Sequence, residues 1–66
     1  MTDKNKLVGK MKWHGDDQQD LADCLGISLS RANAKINGAE FTQEEIKTIR
    51  LRYNLTPVEV VEIFLM

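Results

Sequence analysis

Between Gln18 and Asn37 the chain gathers side chains that can hydrogen-bond to the edges of nucleic-acid bases or lie close against them. These are Gln18, then Ser28, Ser30, Arg31, Asn33, Lys35 and Asn37, interleaved with the small or apolar Leu29 and Ala34. Arginine presents two parallel donors that match the O6 and N7 acceptors of guanine, and asparagine can pair similarly with adenine. Lysine supplies a point charge suited to phosphate. At helical spacing Ala32 and Ile36 fall four apart on one side, and Leu29, Ser30, Arg31, Asn33, Ala34 and Lys35 remain on the other. That outer side carries no acid and has small residues that allow close approach. A helix entering the major groove needs both properties.

Each of these residues also has a plainer reading. Arg31 either reads a base or lies solvated beside an acid, a pairing worth about 0–1 kcal/mol. Lys35 meets a phosphate or nothing, and Asn33 reads adenine or is simply exposed. Lys4, Lys6, Lys10 and Lys12 crowd the N-terminus, as a phosphate-binding arm or as the solvated face of a first helix. Trp13 is expected to cover the edge of the core and Cys24 to fill space beside a turn. Asp20 and Asp23 are expected to point away from any phosphate backbone. The net charge of −1 weighs against a polyanionic partner. Placement counts for more than the sum, since exposed charges are screened beyond about 8 Å at physiological salt.

The elements that must position these residues are marked by local punctuation. Leu7 and Met11 share a face within a helix spanning Lys4 to Trp13, which His14 and Gly15 end. Asp17 reads as the N-cap of a second helix, with Asp20 in its first turn and Leu21, Ala22 and Leu25 at helical spacing. Gly26 ends it at positive φ without strain. Ser28 caps the third helix, which Asn37 and Gly38 close. Thr42 with Glu45, and Thr56 with Glu59, are capping boxes for two more helices, the second with Pro57 at the first helical position. Ile46, Ile49 and Tyr53 give the fourth helix its inner face, and the fifth runs from Pro57 towards Phe64 or Leu65. The spacing therefore predicts one all-α domain of five helices over residues 1–66.

The run Gln18, Leu21-Ala22, Leu25-Gly26-Ile27-Ser28, with Lys35-Ile36-Asn37-Gly38 and Phe41-Thr42, Glu45-Ile46, resembles the lambda-repressor and Cro family of helix-turn-helix domains, as found in small phage and prophage regulators. The resemblance covers most of the chain. It implies a five-helix fold with a recognition helix over about Ser28–Asn37. It further implies sequence-specific binding of double-stranded DNA in transcriptional regulation, most plainly as a repressor. By the same resemblance Gln18 opens the first motif helix, holding a phosphate and the partner helix. Leu29, Ser30 and Ala34 face base edges, and Asn37 touches the backbone. The sequence departs from the family at several points. Leu29 and Ala34 donate no hydrogen bond, Asp16 stands where an apolar residue often precedes the cap, and Ala39-Glu40 replaces a basic pair.

Other functions have little to stand on. No carboxylate pair on facing elements, nucleophile motif, phosphate-cradling glycine loop or metal cluster can be argued, so neither catalysis nor a cofactor, metal or small-molecule ligand is expected. The lone Cys24 excludes an internal disulfide, and with the lone His14 it makes no common zinc spacing. No apolar run suggests a signal peptide or a membrane span, and a cytoplasmic location is expected. The competing expectation is a protein-binding module on the same fold, partnering another regulator as an antirepressor or antitoxin would.

The last helix carries Val58, Val60, Val61, Ile63, Phe64, Leu65 and Met66, more than one face can hold. Val58, Val61 and Leu65 form one stripe and Val60, Ile63 and Phe64 largely another. One closes the core. The expectation is that Val60, Ile63 and Phe64 pair two copies into a homodimer reading a palindrome, unless the small core takes in both stripes.

Overall fold

Among the described residues five α-helices follow one another because five sequence-local caps start them: α1 (Lys4–Trp13), α2 (Gln18–Leu25), α3 (Leu29–Ile36), α4 (Gln43–Tyr53) and α5 (Pro57–Phe64). The computed structural model describes residues 2–65. Met1 and Met66, the latter counted above with the apolar residues of the last helix, lie outside the described residues. Asp3, Asp17, Ser28, Thr42 and Thr56 each accept a hydrogen bond from the backbone N–H three residues on. At α2, α4 and α5 the acid at that third position reaches back to the cap, so two orphan amides are satisfied at each start. Gly26 ends α2 in the left-handed region at φ 69°, and Asn54 ends α4 at φ 52°, a conformation asparagine tolerates better than most residues.

The helices close around Leu7, Met11, Leu21, Ile36, Phe41, Ile46, Ile49, Tyr53, Leu55, Ile63 and Phe64, with Val8, Leu25 and Val60 packed at the margin. Phe41 and Phe64 meet edge to face, their ring centroids 5.6 Å apart. Helix α2 packs on α3 and α4, while α5 packs on α1 and α4. Ala22 and Ala32 are fully buried, one on each helix of the α2–α3 pair. Among the described residues no helix is long and apolar enough to cross a membrane.

Helix α5 corrects one expectation. Ile63 and Phe64 are 2% and 5% exposed and belong to the core, and Val60 is half-buried, so this stripe cannot pair two folded copies. The other stripe faces outward, with Val58, Val61 and Leu65 exposed. Lys10 pairs with Glu59, and Lys6 with Glu62 at 3.2 Å, on the flank of α5 that meets α1, while the Val60-Ile63-Phe64 side packs inward. The backbone N–H of Asp3 also donates to the carbonyl of Ile63. Two further expectations change with this. Lys6 and Lys10 hold α5 and are not part of a free phosphate arm. Trp13, expected at the core edge, is 84% exposed, since α1 turns Leu7 and Met11 inward.

The α1–α5 contact has a pH signature. Lys10 beside Glu59, helped by the Thr56 backbone N–H, holds the Glu59 carboxyl down at about 2, from an ordinary 4.5. A carboxyl depressed by folding stabilises fully above its unfolded value, and the gain is lost as pH falls through its folded one. The melting temperature should therefore stay level down to about pH 5 and fall between about 4.5 and 2. Glu59→Gln should melt below wild type at pH 7, with the gap closing towards pH 2. A gap that does not change across that window would remove Glu59 from the clasp.

Candidate nucleic-acid interface

Helix α3 is held by one face. Ala32 and Ile36 are fully buried, which turns Ser30, Arg31 and Ala34 outward, with Leu29 exposed in the first turn. Ser28 accepts from the Arg31 backbone N–H at 3.2 Å, and the first turn holds no acid. The Arg31 side chain makes no hydrogen bond or ion pair among the described residues. Leu29, Ser30, Arg31 and Ala34 are thus exposed.

Two of the polar residues expected beside Arg31, Lys35 and Asn37, are held by their own chain. Lys35 is tied to Glu45 at 2.7 Å and to the Glu40 carbonyl at 3.2 Å, and its side chain is 12% exposed. Lys35 therefore fastens α3 to the start of α4, where the sequence leaves it meeting a phosphate or nothing. Burial works against the charge on Glu45, but the hydrogen bonds from Lys35 and Thr42 outweigh it and hold the carboxyl below its usual range. Asn33 is half-buried, with its Oδ1 turned in and without a hydrogen-bond partner. Asn37 donates from Nδ2 to the Asn33 carbonyl at 2.9 Å, closing the end of α3.

The start of α2 is less welcoming to phosphate than the resemblance implies. Gln18 is exposed and makes no side-chain hydrogen bond among the described residues, to a partner helix or otherwise. Asp17 and Asp20 flank it, each accepting a backbone N–H of the other, and so occupy amides a phosphate would use. Asp23 accepts from the Gln19 side-chain amide at 2.9 Å. Of the basic residues, Lys6, Lys10, Lys35 and Arg52 are in ion pairs, whereas Lys4, Lys12, Arg31, Lys47 and Arg50 are in none among the described residues.

One positioning cluster was not read from the sequence. Asp16 accepts from Arg52 Nε at 2.6 Å, from Arg52 Nη2 at 3.1 Å and from the Tyr53 hydroxyl at 2.8 Å. His14 lies against the Tyr53 ring, with centroids 5.1 Å apart. Arg52, and secondarily Tyr53, hold the Asp16 carboxyl below its ordinary range, while burial and the Asp16 charge push the Tyr53 hydroxyl up. This knot pins the loop before α2 to the end of α4 and so helps fix the α2–α3 pair. The only signal in the sequence was Asp16 standing where an apolar residue was expected; its partners lie 36 and 37 residues away. No protein-family model, curated protein or solved structure matches the chain.

Proposed function

We propose that the chain binds double-stranded DNA as a transcriptional regulator of the lambda-repressor-like helix-turn-helix type, with α2 and α3 as the motif and α3 entering the major groove. The observation that carries this reading is the outward face of α3. It is exposed, free of acid in its first turn and furnished with Arg31, whose guanidinium has no partner among the described residues. A solvated arginine among small neighbours can approach a guanine edge without breaking an internal contact. The exposed α5 stripe of Val58, Val61 and Leu65 is the corresponding dimer surface, and a two-fold pair would set two α3 helices about 34 Å apart on a palindrome. Small prophage-type regulation in the cytoplasm as a repressor is the setting this reading fits.

Salt decides between this and a protein partner. Binding to duplex DNA through several phosphates releases counterions, so affinity should fall steeply as salt rises from about 50 to 200 mM. A duplex affinity indifferent to salt, or none at low salt, overturns the proposal. A second reading then takes its place, a module that binds another regulator. It is favoured by the exposure of Trp13, at the rim of a groove of about 380 Å³ between α1 and α5. Exposed aromatics of this kind are enriched in protein interfaces.

A further inference from the structure

We infer that the groove between α1 and α5 binds a small, planar, uncharged aromatic molecule. This site shares no residue with the α3 surface. The spacing of the residues gave no sign of it, because its two walls come from opposite ends of the chain. The recess measures about 380 Å³, within the range of small-molecule sites, about 300–1,000 Å³. The same recess serves the protein-binding alternative above; its volume is that of a smaller occupant.

Gly9 sits in the middle of α1, where only proline is a poorer helix former. Nothing within the chain requires glycine there: its φ is not positive, and a Cβ would meet nothing across the groove within 4 Å. The missing side chain leaves clear the space beside Trp13, which stands one turn later on the same side of α1. Trp13 is 84% exposed, so its indole is free to stack on a ligand, and the buried Ile63 adds an apolar floor. The charges of the rim set the chemistry of that ligand. Lys6 pairs with Glu62 and Lys10 with Glu59, so each cation and each carboxylate there already has a partner. An anion would have to take a lysine from its glutamate, and a cation a glutamate from its lysine. An uncharged ring breaks neither pair and removes apolar surface from water.

Two probes with one skeleton test this on the full chain. N-phenylnaphthylamine is uncharged, and anilinonaphthalenesulfonate adds a sulfonate. The uncharged probe should bind in a single saturable step, quench the fluorescence of Trp13, the chain's single tryptophan, and raise the melting temperature. It should bind tighter than the sulfonate by about fivefold or more, the equivalent of one exposed ion pair broken. Gly9→Leu fills the groove and should abolish binding without lowering the melting temperature of the free chain. Trp13→Ala should weaken binding by roughly 2- to 12-fold, the equivalent of one aromatic contact. No saturable binding, equal affinity of Gly9→Leu and wild type, or a sulfonate that binds as tightly as the uncharged probe overturns the inference. A probe that lowers the melting temperature is binding unfolded chain, and one displaced as the chain concentration rises competes with a second copy. Either of those results overturns it as well.

Discussion

Phe64→Glu should leave the chain unfolded at 37 °C, with helical circular dichroism and amide proton dispersion lost. Phe64 is 5% exposed and packs edge to face on Phe41, with Ile63 beside it fully within the core. Removing a buried phenylalanine costs about 3–5 kcal/mol. A carboxylate in its place must also be neutralised or dragged to water. A chain of 66 residues has a total stability on the order of 3–10 kcal/mol, so little or nothing remains. Three residues earlier on the same helix the opposite is expected. Val61 is 50% exposed, so Val61→Glu should change monomer stability by no more than about 0.5 kcal/mol. It should, however, sediment as a monomer and lose affinity for a palindromic duplex. A Phe64→Glu chain that melts like wild type would mean that α5 packs by its other stripe. Wild type sedimenting as a monomer at concentrations that bind DNA would end the dimer assignment.

Arg31→Ala should abolish preference for one guanine in the target while leaving the melting temperature nearly unchanged. The guanidinium makes no internal contact among the described residues, and the backbone N–H that donates to Ser28 survives the substitution. Alanine is also at least as good a helix former. A bidentate arginine–guanine pair discriminates by about 1–3 kcal/mol, so competition between the cognate duplex and one changed at that base should narrow by roughly 5- to 150-fold. Binding to unrelated duplexes should weaken only by the loss of one positive charge. Undiminished preference at every base would remove Arg31 from the reading surface, and a lowered melting temperature would show that it supports the fold instead.

Arg31 was legible from the sequence as an outward cation, because Ala32 and Ile36 fix the inner side of α3 by spacing alone. Phe64 was not. Two apolar stripes on one short helix are equivalent until something outside the helix selects one, and that selection came from packing against core residues of the other helices, Phe41 among them, while Lys6 and Lys10 meet the acids on the flank between the stripes. The same limit applied to Lys35, whose partner Glu45 lies on the next helix, and to Asp16, whose partners end α4.

What the residues by themselves determined was the capped start of four of the five described helices and most helix ends. Asp17 with Asp20, Ser28, Thr42 with Glu45, and Thr56 with Glu59 all act over three residues, and the bend at Gly26 depends on one backbone angle. Interactions that short need no knowledge of the rest of the molecule. What only the tertiary structure decided was which side of α5 is core, which cations are already paired, and which polar groups on α3 are left to meet a ligand. Those depend on how helices lie across one another, a matter of packing between segments that sequence spacing leaves open.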